Sequence, residues 1–253
     1  MNTNEQPVIV DVNHVSMRFN LATEKTETLK ETLVKRLQGK LTFNEFYALK
    51  DVSFQVRKGE AVALIGRNGS GKSTMLKVVA GVMYPSQGSC GVNGSIAPMI
   101  ELGAGFDMDL TARENIYLNG AVLGHDREYM DAHFENIVEF SELRDFIDVP
   151  VKNFSSGMVT RLGFAIATDV TADLLVVDEV LAVGDFMFQQ KCLDRLDHML
   201  ADGTTLLFVS HSSDQVRRLC SRAIWLDHGV KRGDGPVDEV CTEYEEAMRR
   251  GEQ

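Results

Sequence analysis

What this chain does not contain narrows it first. No uninterrupted apolar stretch reaches the ~18–20 residues that a membrane-spanning helix needs. Residues 1–6 are polar with no apolar run behind them, so no secretory signal peptide is expected. The four cysteines, Cys90, Cys192, Cys220 and Cys241, form no Cys-x-x-Cys pair and are joined by no histidine cluster. That spacing argues against structural zinc and predicts reduced thiols in a cytosolic protein. Cations are also short, with 26 Lys and Arg against 37 Asp and Glu, a formal net charge of −11. Gripping nucleic acid irrespective of its sequence needs a basic footprint, which this chain lacks, so no nucleic-acid partner is expected. No internal repeat or low-complexity tract is visible.

What remains is ordinary globular composition: 253 residues, 44% hydrophobic and 25% charged, enough for one large domain or two small ones. Strand patterns occur at 8–12, at 52–56 with Val52, Phe54 and Val56 on one face, and at 60–65. Residues 174–177 and 205–209 are short Leu- and β-branched-rich runs of the kind buried on both faces of a parallel sheet, and 223–227 is a further strand. A glycine-rich stretch (Gly88, Gly91, Gly94) leads into 96–102. Residues 113–148 read as mostly helical, with Met130, Phe134, Ile137 and Ser141 sharing a face, and helical signals continue from 155 to about 168. Gly235-Pro236 opens a last amphipathic helix, about 236–250, with Val237, Val240, Tyr244 and Met248 inward.

The motif that carries chemistry is Gly66-Arg67-Asn68-Gly69-Ser70-Gly71-Lys72-Ser73-Thr74, a G-x-x-x-x-G-K-[ST] loop between an apolar strand and a helix. Successive backbone amides across Asn68, Gly69, Ser70, Gly71 and Lys72 can converge on phosphate oxygens, and the following helix N-terminus adds partial positive charge. Lys72 would reach the β- and γ-phosphates and Ser73 would offer its hydroxyl to Mg²⁺. The bland alternative is a flexible glycine-rich turn.

Two further motifs extend the reading. Leu174-Leu175-Val176-Val177-Asp178-Glu179 is an apolar strand ending in two carboxylates. Asp178 could hold Mg²⁺ opposite Ser73, and Glu179 could polarise the water that attacks the γ-phosphate. Taken alone, such a run is equally a strand ending in an acidic turn. Asn153-Phe154-Ser155-Ser156-Gly157-Met158 lies about 23 residues before Asp178. Locally it reads as a helix start, with Ser155 or Ser156 capping a helix over 159–168.

On these residues the chain resembles the ATP-binding-cassette ATPases, whose signature is usually written Leu-Ser-Gly-Gly-Gln. Phe154, Ser155, Ser156, Gly157 and Met158 fill it, with Phe for Leu, Ser for Gly and Met for Gln. The resemblance implies an α/β fold: a phosphate-loop NTPase core with a parallel sheet, an antiparallel β edge region and a helical subdomain. It implies that Ser155, Ser156 and Gly157 face the γ-phosphate held by a second protomer, so that a homodimer closes over two ATP molecules and their Mg²⁺. His211, in Phe208-Val209-Ser210-His211, resembles the switch histidine that contacts the γ-phosphate, catalytic together with Glu179. Asp185 matches the aspartate that communicates across the dimer, and Phe19 sits where an aromatic stacks on adenine, with Tyr47 competing for that role. Without the resemblance, His211 reads as a capped or surface residue, Asp185 as a turn carboxylate, and Phe19 and Tyr47 as core. Glu101 stands where the family usually has a Gln that senses Mg²⁺ and the membrane partner; a carboxylate can ligate the metal too.

The combination of Phe-Ser-Ser-Gly-Met, Glu101-Leu102-Gly103-Ala104-Gly105-Phe106, Arg113-Glu114-Asn115-Ile116 and the stretch from Asp178 to Asp185 looks like the ATPase subunits of bacterial polysaccharide exporters. That implies two copies of a separate membrane-spanning permease, a lipid-linked O-antigen, capsule or teichoic-acid chain, and a place at the cytoplasmic face of the membrane. The alternatives are an ATPase of another transporter class, a non-transport cassette ATPase, and a small-molecule phosphotransferase. The chain is expected to be one nucleotide-binding domain over 1–253, with a helical subdomain at about 103–168. With 253 residues, it is expected to lack the carbohydrate-binding domain that some O-antigen members carry.

An insertion is expected at about 20–46, where Leu29, Leu33, Leu37 and Leu41 recur at i, i+4 beside Lys30, Lys35, Arg36 and Lys40. It is either an amphipathic cover on the sheet edge or a helix at the membrane face meeting lipid or lipid-linked phosphate. Reversing those four cations to Glu separates the readings: a membrane-facing helix loses polymer export, measured at the cell surface, whereas a sheet cover leaves it intact.

Overall fold

The computed structural model describes residues 6–22, 43–100, 102, 103, 105–170, 172–178, 185–210 and 212–251. Two long strands, β1 (Val8–Ala22) and β2 (Phe43–Arg57), pair antiparallel, and β1 also pairs with β4 (Gln87–Val92). The second sheet contains β3 (Ala61–Ile65), β5 (Ile96–Met99), β6 (Leu174–Asp178), β7 (Thr205–Val209), β8 (Arg222–Asp227) and β9 (Val230–Pro236). Its order is β5-β6-β7-β3-β8-β9, parallel except for the antiparallel edge strand β9. The helices are α1 (Lys72–Val79), α2 (Ala112–Val122), α3 (Arg127–Ser141), α4 (Ser156–Asp169), α5 (Phe186–Ala201), α6 (Ser213–Leu219) and α7 (Val237–Arg250).

Successive side chains of a strand point to opposite faces, and the two faces of the parallel sheet feed two cores. Leu64, Val176, Leu207 and Val209 pack with Met75 and Leu76 of α1 and with the antiparallel sheet. Ala63, Leu175, Val177 and Phe208 pack under Phe164 of α4, Phe188 and Leu196 of α5, and α6 and α7. A third cluster fills the helical block, where Ile116, Met130, Ile137 and Leu162 meet. Helix α4 belongs to two of these clusters. Its Phe164 and Ala167 face the sheet, while Leu162, Ala165 and Ile166 face α2 and α3, so every residue from 162 to 168 is buried. A helix apolar all round is one buried on both sides.

Local chemistry fixes the helix starts. Thr111 and Glu114 form a reciprocal capping box on α2, and Asp126, Ser155, Asp185 and Ser212 each cap the helix that follows. Asn115, fully buried, staples the preceding loop to α2. Its Oδ1 accepts the Asp107 amide at 2.9 Å, and its Nδ2 donates to the carbonyls of Asp107 (2.9 Å), Thr111 (3.0 Å) and Leu110 (3.3 Å).

The described residues modify several expectations. The β1–β2 ladder runs out to Ala22↔Phe43, so both ends of the segment expected as an insertion at 20–46 are strand; residues 23–42 lie outside the described residues. The glycine-rich stretch around Gly88 and Gly91 is strand β4, and β9, α5 and α6 were not anticipated. Helix α4 starts at Ser156 rather than 159, with Ser155 as its cap. On α7 the inward face includes Cys241 and Ala247, while Tyr244 and Met248 are half-buried. The four thiols are free. Burial, aided by the Asp11 charge, pushes Cys90 up to about 11, and burial pushes Cys192 up to about 12 and raises Cys220 and Cys241.

Replacing Asn115 by Ala removes the acceptor of the Asp107 amide and one donor from each of three carbonyls, which keep only their backbone partners. The expected loss is about 1–3 kcal/mol of unfolding free energy, read from the midpoint of a urea titration; an unchanged midpoint would refute the staple.

Candidate nucleotide site

The phosphate-type loop joins β3 to α1, and both sheet neighbours of β3, β7 and β8, run parallel to it. Crevices at the carboxyl ends of such strands are where ligands bind in open α/β sheets. Gly66, Gly69 and Gly71 hold φ of 146°, 80° and 106°. At two of them close approach adds to conformation. A Cβ on Gly66 would stand 2.1 Å from the Leu226 carbonyl oxygen, and one on Gly71 would stand 2.5 Å from that of Ala48. The loop is therefore pressed between β8 and β2. The turn between β8 and β9 ties it down: the Gly229 amide donates to the Ser70 carbonyl at 3.0 Å, and the Lys50 amide donates to the Gly229 carbonyl at 2.7 Å. Above, nothing lies within 4 Å of a Cβ built on Gly69, and Arg67, Asn68 and Gly69 are exposed.

Gly71 caps α1, whose first turn carries no acidic residue to offset the positive end of the helix dipole. Lys72 is buried, and its Nζ donates to the carbonyls of Gly66 at 2.8 Å and Arg67 at 3.0 Å, which centres the ammonium inside the loop. Ser70 is buried, with no hydrogen-bond partner for its Oγ among the described residues. Ser73 is exposed and Thr74 half-buried in the first turn of α1.

Asp178 ends β6 in register with Val209 of β7, which is itself in register with Leu64 of β3. Two strand spacings place it about 10 Å across the carboxyl edge from β3. The Ser73 hydroxyl and Asp178 carboxylate are hard oxygen donors, the chemistry that a magnesium ion prefers. Glu101, Glu179 and His211 lie outside the described residues. Both neighbours of position 211 are pinned: the Ser210 hydroxyl donates to Gln215 Oε1 at 2.9 Å and accepts the Ser212 amide at 3.1 Å, while Ser212 caps α6.

Ser155 and Ser156 are exposed at the N-terminus of α4, and Gly157 is half-buried there. The Ser155 hydroxyl accepts the Met158 amide at 3.3 Å, and Gly157 has only that hydroxyl, at 3.9 Å, near a built Cβ. This helix end belongs to the helical block, apart from the loop after β3. Asp185 caps α5 by accepting the Phe188 amide at 3.0 Å and pairs with Arg161 of α4 at 2.7 Å. The Phe188 amide first, and Arg161 after it, hold the Asp185 carboxyl below the usual range. Phe19 is half-buried against the core in the ladder row of Phe46, which is 49% exposed, while Tyr47 pairs with Arg18 in the next row. Sequence reasoning missed the bracing turn at 227–229 and Arg161, whose partners are distant in the chain.

Comparison with known proteins gives a consistent result. The profile of the ABC transporter family matches residues 49–182. The O-antigen export system ATP-binding protein RfbB of Klebsiella pneumoniae is 44% identical over 242 residues, 95% of this chain and 98% of that protein. The teichoic acids export ATP-binding protein TagH of Listeria monocytogenes serotype 4b is 41% identical, over 95% of this chain and 70% of that protein. Among solved structures, a dimeric post-hydrolysis state of the ATP-binding cassette MJ0796 bound to ADP and Pi superposes with a TM-score of 0.72. It is 21% identical and spans 90% of this chain and 99% of the other, a likeness of fold.

The two kinds of glycine can be told apart. Gly66→Ala drives a Cβ into the Leu226 carbonyl and should cost at least tenfold in ATP affinity together with a lowered Tm. Gly69→Ala meets open space and should lose about 1–2 kcal/mol of stability through its left-handed φ alone. Equal ATP affinities in a fluorescent-nucleotide titration would refute the close-approach argument.

Proposed function

This chain belongs to the ABC transporter family, and from that membership we propose that it is the ATP-binding and hydrolysing subunit of an exporter that moves a lipid-linked polysaccharide or teichoic acid across the cytoplasmic membrane. The observation that carries the polymer class is the likeness, over nearly the full length of both proteins, to an O-antigen export ATP-binding protein. The second strand of support is chemical, a glycine-shaped loop with Lys72 at its centre at the carboxyl edge of a parallel sheet. We read the whole chain as one nucleotide-binding domain whose helical subdomain spans about 103–168.

In this reading the loop amides and Lys72 hold the triphosphate, and Phe19 supports the adenine. Ser73 and Asp178, with Glu101, would hold Mg²⁺, which when bound neutralises charge on the phosphates. Glu179 orients the attacking water and His211 contacts the γ-phosphate. The exposed N-terminus of α4, with Ser155, Ser156 and Gly157, serves the nucleotide of a second copy, so hydrolysis requires a dimer. No helix among the described residues is long and apolar enough to cross a membrane. In the same reading, movement of the glycan falls to two copies of a separate membrane-spanning partner, with this chain docked on the cytoplasmic side.

Glu179→Gln should retain ATP binding, lose turnover by about 100-fold or more, and accumulate an ATP-bound dimer on size-exclusion chromatography. Lys72→Ala should instead lose ATP affinity in the same titration. In cells, Lys72→Ala in place of the wild-type chain should leave the polymer off the surface, as read with an impermeant glycan probe. Wild-type turnover in Glu179→Gln would remove that residue from catalysis, and normal surface polymer with Lys72→Ala would overturn the export reading.

A further inference from the structure

We propose that Arg161 is a positioning residue for ATP hydrolysis: it locks the Ser155-bearing helix α4 to Asp185 at the start of α5, and Glu142 holds it there. The proposal rests on the ATPase reading above. Arg161 lies six residues beyond Ser155, about 9 Å along the helix axis, and its side chain is 19% exposed. Its guanidinium divides between two carboxylates on different elements. Nη1 donates to Glu142 Oε2 at 2.8 Å and Nη2 donates to Asp185 Oδ2 at 2.7 Å. The plane also sits over the buried Phe188 ring, 4.5 Å from its centre. Phe188 is the residue whose amide Asp185 caps, so the aspartate and the ring form one receptor for the cation.

Glu142 supplies an independent observation. It terminates α3 with φ 60° and ψ 31°, a left-handed conformation that glycine or asparagine adopts with least strain. It also places a carboxylate at the negative end of the helix dipole. Ending the helix explains neither choice. Two cations account for both: Arg161, and Lys191 of α5, whose Nζ donates to Glu142 Oε1 at 3.0 Å and to the Phe140 carbonyl at 2.9 Å. Strain held in place by such partners marks a position kept for what it orients.

The function follows from what Arg161 joins. Ser155 and Asp185 both belong to the face that the dimer reading presents to a second copy, yet one stands on the helical block and the other on the sheet core. Arg161 spans that joint and also contacts the end of α3, so it sets the spacing of the two groups before a second copy arrives. None of its described contacts reaches residues 66–74, so binding of ATP to the chain's own loop is independent of it. Lys at this position keeps the charge but lacks the fork that reaches two carboxylates at once.

The test is steady-state ATPase kinetics, fluorescent-nucleotide titration and thermal unfolding of the purified full chain for wild type, Arg161→Ala, Arg161→Lys and Glu142→Gly. Arg161→Ala and Arg161→Lys should lower kcat by tenfold or more, with KM and the single-chain ATP Kd within about twofold of wild type. Glu142→Gly should lower kcat at least fivefold while Tm is unchanged or raised, because glycine relieves the left-handed strain; a merely structural role predicts loss of Tm and activity together. The proposal is overturned if kcat stays within twofold of wild type in Glu142→Gly, or if Kd weakens in step with kcat. Should Arg161→Ala not fold, Glu142→Gly alone decides. A wild-type chain that binds ATP but turns none over defeats the ATPase reading itself, whereas an active wild type with indifferent variants defeats this inference only.

Discussion

The contact on which the site depends is backbone against backbone. The loop after β3 is wedged between the Leu226 carbonyl of β8 and the Ala48 carbonyl of β2, with no room for a Cβ at Gly66 or Gly71. That squeeze joins the two sheets at one place, because β2 belongs to the antiparallel sheet and β8 to the parallel one. It also fixes where α1 begins, and with it the direction of a helix dipole that no acidic residue in the helix's own first turn offsets. Lys72 completes the arrangement from inside, its ammonium held on two loop carbonyls.

Around this fixed point the molecule is built in unequal layers. The central parallel strands β3, β6 and β7 are short and almost wholly buried, while the helical block is attached through α4, which is apolar on both sides, and through cations on α5. Lys191 takes the Phe140 carbonyl near the end of α3, and Arg195 takes the Thr168 carbonyl and the Asp169 carboxylate at the end of α4. Both cations also lie over the Phe140 ring. A joint made by a few long cationic side chains defines orientation through direction and charge, whereas the sheet beneath it is set by close packing.

Much of this was legible in the sequence because the signal was local. The loop at 66–74, the apolar runs of β3, β6 and β7, and the 3.6-residue face of α3 are each determined by residues near one another in the chain. Strand β4 was hidden because its glycines give little strand propensity and it is held by pairing to β1 rather than by burial. Strand β9 was masked by the turn signals of Gly233 and Gly235. Helix α5 carries Phe188, Cys192 and Leu196 at i, i+4, i+8, but exposed Phe186 and Met187 at its start blur the periodicity. The roles of Asn115, of Arg161 and of the turn at 227–229 depend on which partners the fold brings near, and no local pattern announces them.

The burial of the thiols has a practical side. The thiolate is the reactive form of cysteine, and a group shifted up to about 11 is ionised in only about one molecule in a thousand at pH 8. Cys192, Cys220 and Cys241 are still more shielded, each inside the core beneath α5, α6 or α7. All four native thiols should therefore react more slowly with maleimides and mild oxidants than an exposed cysteine does. A cysteine introduced on an exposed loop should outpace them, which favours site-directed labelling without first removing the native thiols.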